Sequence, residues 1–81
     1  MNKKSLAVNI LGWYGVVAIL LAYSLVSIQI IQSDTILYQL LNLTGAIGII
    51  VDSIYKKDKQ PMVLNIVWAT IAVVAIFKII T

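Results

Sequence analysis

The sequence predicts an all-α integral membrane protein, three transmembrane helices in a single domain spanning 1–81. Three observations predict it. Of 81 residues 62% are apolar and only 11% charged, too few charges to clothe a water-soluble protein this short. Three charge-free runs, 29, 17 and 18 residues long, stretch from Ser5 to Ser33, Thr35 to Val51 and Gln60 to Phe77. A helix crosses the hydrocarbon core with roughly 20 mostly apolar residues, and no run alternates as a barrel strand does. The breaks between the runs are short and polar, which leaves room only for antiparallel neighbours.

The helices are expected at 7–31, 35–55 and 62–80. The first run exceeds the required length, so its helix tilts or begins among the headgroups. Lys3 and Lys4 before an apolar stretch also begin a signal peptide, but this stretch is about twice the usual 7–15 residues and no Ala-x-Ala site closes it. At the first break, Gln32-Ser33-Asp34-Thr35 forms a turn in which Ser33 or Asp34 caps the second helix. The second break, Lys56-Lys57-Asp58-Lys59-Gln60, is closed by Pro61, a residue suited to the first turn of a helix.

Lysines set the expected topology. Lys3, Lys4, Lys56, Lys57 and Lys59 fall on one side and only Lys78 on the other, which places the N-terminus in the cytoplasm and the C-terminus outside. The net charge of +3 therefore reflects orientation and contact with membrane lipid headgroups, with no nucleic-acid partner implied.

Catalysis finds no foothold. The chain has no Cys, no His and no Glu, no Gly-rich phosphate loop, and its three aspartates lie on both sides of the membrane. Neither an enzyme, a metal site nor a cofactor is expected. The second helix carries the most information. Tyr38, Asn42, Gly45, Ile49 and Asp52 recur at helical spacing on one stripe, with Gly48 beside it. Either Asn42 bonds a neighbouring helix as packing glue, or it faces a polar cavity together with Tyr38. Asp52 stands four residues before Lys56, the favourable order for an ion pair; proton coupling is the other reading. In the third helix Asn65, Trp68 and Ala72 share a face, and an amide beside an indole can grip a polar ligand. Gly12, Gly15, Ala18 and Ala22 give the first helix a small-residue face for helix contact, although the strict Gly-x-x-x-Gly spacing is absent. Trp13 and Tyr14 sit deep for an interfacial aromatic belt unless that helix starts late.

The pattern Gly12-Trp13-Tyr14-Gly15, Ala22-Tyr23, Tyr38-x-x-x-Asn42-x-x-Gly45-Ala46-x-Gly48 and Asn65-x-x-Trp68 resembles a group of small bacterial three-helix membrane proteins of unassigned activity. A more distant similarity is to the SemiSWEET and PQ-loop transporter fold, carried by Asn42 through Gly45, the basic loop, Pro61 and Asn65. That family's Pro-Gln pair is absent, with Ser27-Ile28-Gln29 near its place. The resemblance implies half a transporter in the bacterial inner membrane, a three-helix bundle working as a homodimer. Tyr38, Asn42, Asn65 and Trp68 would then line a path for a small polar, sugar-like solute, and Gly12, Gly15, Gly45 and Gly48 would pack helices. The alternative is a non-transporting module that binds a partner protein or lipid through its glycine-rich faces.

Overall fold

A computed structural model describes residues 2–81. Its three helices are α1 (Lys3–Ser27), α2 (Ile36–Lys56) and α3 (Lys59–Ile80). Each is long and apolar enough to cross a membrane, and the molecule measures 40 × 22 × 19 Å, longer than the roughly 30 Å of a bilayer's hydrocarbon core.

The helix ends differ from the expected ones for local reasons. Asn2 caps α1, its side-chain oxygen accepting from the Ser5 N–H at 2.7 Å. The helix therefore starts at Lys3 and absorbs both lysines, which hydrophobicity alone places outside a span. It also ends at Ser27, not at 31. Gln29 adopts a left-handed φ of 65°, and the chain closes on itself through Gln29 N–H to the Val26 carbonyl and Ile30 N–H to the Leu25 carbonyl. This is a Schellman ending without the glycine that normally announces it. Lys57 repeats the device at the end of α2, with φ 58° and Asp58 N–H bonded to the Ser53 carbonyl. Thr35, and not the expected Ser33 or Asp34, caps α2 by accepting from the Tyr38 N–H while donating to the Gln32 carbonyl. In α3, Pro61 lies in the first turn as expected, although the helix opens three residues earlier than 62.

The bundle centres on α2, which packs against α1 on one side and α3 on the other; no Cα pair of α1 and α3 comes within 8 Å. The interior is made of small residues, with Ala18, Ala22, Ala46 and Ala72 nearly solvent-free and no large side chain fully buried. Large apolar side chains such as Leu20, Ile47, Val67 and Phe77 point outward. Lipid tails solvate these as well as a protein core would, so packing in a membrane favours small residues that let backbones approach.

Candidate functional site

The contact between α1 and α2 is built on glycine. A Cβ placed on Gly15 would collide with the Gly45 carbonyl oxygen, and one on Gly48 with the Leu11 carbonyl oxygen. A Cβ on Gly45 would fall 2.9 Å from Ile19 Cγ1 and 3.3 Å from Ala18 Cβ, and one on Gly12 would lie 2.7 Å from the Asp52 carboxyl carbon. All four expected packing glycines therefore sit in one intramolecular seam. The seam also holds a hydrogen bond that the sequence does not announce: the Tyr14 hydroxyl lies 2.7 Å from Thr44 Oγ1. Thr44 donates to the Leu40 carbonyl, so Tyr14 is the donor. With α1 starting early, Tyr14 serves helix pairing, not an interfacial belt.

The stripe read along α2 divides between two neighbours. Gly45, Gly48 and Asp52 lie against α1, whereas Tyr38 and Asn42 line a cavity completed by Trp68, Ile71 and Ala72 of α3. That cavity has a volume of about 120 Å³ and includes Gln39. Asn42 is only 7% exposed, and among the described residues its amide has no hydrogen-bond partner. Gln39, equally buried, is satisfied: its Nε2 donates to the Ser33 carbonyl at 2.8 Å and ties the α1–α2 loop down. Asn42 is thus a mostly buried amide beside a small uncharged cavity whose other polar handles are the Gln39 amide, a phenol and an indole. Such a cavity can accept a neutral molecule able to donate or accept hydrogen bonds.

Asn65 does not join that cavity. Its Nδ2 donates to the Pro61 carbonyl one turn back at 2.8 Å. Its side chain lines a separate, mostly apolar cavity of about 250 Å³ with Ile19, Ile49, Leu64 and Trp68. Of the four residues expected to line a solute path, Tyr38, Asn42 and Trp68 come together, and Trp68 alone borders both cavities.

A third cavity, about 310 Å³, opens at the lysine-rich end between Asn9, Trp13, Asp52, Lys56, Asp58 and Pro61, with Ile49 at its inner limit. Asp52 forms the ion pair expected from its spacing, with its Oδ1 closed off from solvent and 3.0 Å from Lys56 Nζ. What the spacing does not reveal is where the carboxylate lies. It rests on Gly12 of α1, in space that any side chain there would fill. Ile49 borders both the third cavity and the Asn65 cavity, and Trp68 borders the latter and the Asn42 cavity. The third and the Asn65 cavities take lining residues from all three helices, in the groove that α1 and α3 leave over α2, whereas the Asn42 cavity is lined by α2 and α3 alone. No group of three or more metal-ligating side chains gathers among the described residues.

A family model matches residues 8–81, and the chain belongs to that family, which is uncharacterised. No curated protein and no solved structure matches the chain, so the distant likeness to the SemiSWEET and PQ-loop fold gains no support.

Proposed function

We propose that this chain is half of a transporter-like assembly in the bacterial inner membrane, a homodimer whose six helices pass a small, neutral, polar solute. The carrying observation is Asn42, a mostly buried amide that makes no hydrogen bond within the described residues and lines a cavity with Tyr38 and Trp68. An amide that bonds nothing within the chain is available to a passing hydroxyl or amide group. Because no Cα pair of α1 and α3 comes within 8 Å, the groove between them is open along one side, and a second copy would wall it. The lysine distribution puts the N-terminus and the Asp52 end in the cytoplasm. Two copies with a site near the midplane follow the general plan of repeat-built transporters. The rival reading, a module that binds a partner protein or lipid through its glycine-rich faces, is less favoured because the four glycines are buried in the α1–α2 seam.

The test is osmotic swelling of vesicles reconstituted with the full chain, in a series of neutral amides and polyols of increasing size. The proposal expects swelling above that of protein-free vesicles for at least one small solute, with Asn42→Ala reducing the protein-dependent rate roughly tenfold, the loss of about one hydrogen bond to a buried partner. Swelling no faster than protein-free vesicles across the series contradicts it.

A further inference from the structure

We propose that the lysine-rich end of the groove between α1 and α3 is a phospholipid site selective for an ethanolamine headgroup, distinct from the Asn42 cavity lined by α2 and α3. The groove has the anatomy of an amphiphile. Its mouth lies where α2 ends and α3 begins, among residues of both charge signs: Lys56 at the last position of α2, Asp58 at the turn, and Asp52 one helical turn inward, with Asn9 and Trp13 on the α1 wall. Ile49, about 10 Å along the helix from Lys56, begins the inner part, whose lining is Ile19, Leu64, Asn65 and Trp68. There the Asn65 amide is turned back onto Pro61, leaving a largely apolar trough. A polar mouth beside an apolar trough, with Ile49 bordering both, suits one headgroup and the start of one acyl chain.

The charges choose among headgroups. Lys56 is half-exposed and can reach a phosphodiester, as lysines near membrane interfaces do. Asp58, which makes no side-chain capping bond to α3, and the remainder of the Asp52 carboxylate accept hydrogen bonds from a primary ammonium. A choline headgroup has no N–H to donate, and a glycerol headgroup brings no cation to offset the two aspartates. The five lysines at this end favour anionic lipid in general, so a preference for a zwitterionic lipid has to come from the cleft.

Native mass spectrometry of the full chain equilibrated with equimolar phosphatidylethanolamine, phosphatidylcholine and phosphatidylglycerol, all with identical acyl chains, reads this directly. The ethanolamine lipid should be retained roughly tenfold over either competitor, the scale of one charge-assisted hydrogen bond. Asp58→Asn, at an exposed helix end where folding is spared, should bring it down to the choline level, whereas Lys56→Gln, at another such end, should weaken retention of all three lipids alike. Lys57→Gln and Lys59→Gln, which do not line the cleft, should leave the preference intact; circular dichroism checks helicity in all four. Equal retention of the three lipids or preference for the glycerol lipid would overturn the proposal. So would a lipid-free dimer, in which a second copy fills the lysine-rich end of the groove. Displacement by soluble glycerophosphoethanolamine, which lacks acyl chains, would overturn the trough's role and with it the lipid assignment.

Discussion

Replacing Gly15 with Ala adds one methyl group, and the α1–α2 seam has no room for it. The new Cβ would lie well under 3.0 Å from the Gly45 carbonyl oxygen, where ordinary van der Waals contact begins at 3.4 Å. That oxygen belongs to the backbone of α2, so no rotamer change relieves the clash and the helices must part by about 1 Å, in an interior that tolerates little overpacking. Separation also stretches the Tyr14–Thr44 hydrogen bond, now 2.7 Å. Overpacking of this kind costs about 1–3 kcal/mol, and the unmovable partner puts Gly15→Ala in the upper half of that range. Gly12→Ala meets the Asp52 carboxyl group instead, a side chain that can swing aside, and should cost less than half as much. Val17→Ala, at a lipid-facing position, serves as the baseline. Reversible unfolding in mixed micelles by added anionic detergent measures all three. If Gly15→Ala unfolds with the Val17→Ala variant, or Gly12→Ala proves the more damaging, the reading of a backbone-to-backbone glycine seam is wrong.

Further outcomes follow from single contacts. Asn42→Leu should leave stability unchanged to within about 0.5 kcal/mol, because the amide bonds nothing within the described residues, while abolishing solute-dependent swelling; packing glue would instead lose stability on this change. Tyr14→Phe should lower stability by about 0.6 kcal/mol, the typical worth of an interhelical hydrogen bond in a membrane, read in the same detergent titration. Gln29→Gly should stabilise by about 1 kcal/mol, since glycine relieves the left-handed strain at the end of α1. Unchanged unfolding of that variant would show that the turn carries no strain.

The three helices and their breaks were legible because lysines, aspartates and the single proline punctuate otherwise charge-free runs. The ends were less so. Hydrophobicity leaves Lys3 and Lys4 outside a span, but a capped helix carries them without difficulty once Asn2 supplies its oxygen. Gln29 and Lys57 close helices in the left-handed region without glycine, and residue type there gives no warning. The four packing glycines were recognisable as small residues at helical spacing, yet spacing could not say that they would meet each other inside one chain. The stripe on α2 fails for a related reason: periodicity defines a face of a helix but not how many neighbours share it. Asn42 kept its company with Tyr38 and Trp68, whereas Asn65 turned to its own backbone, a choice open to any amide four residues after a carbonyl. The Asp52–Lys56 pair was written in the sequence. The cleft around it was not, because it needs Gly12 from a segment forty residues away.

The most direct test of the central claim is the number of subunits per complex in a lipid bilayer, counted by single-molecule photobleaching of singly labelled chain at low protein density. The account predicts two bleaching steps at densities where random co-localisation gives one. Single steps persisting at every density would contradict it, because one copy leaves the groove over α2 unwalled and encloses no path.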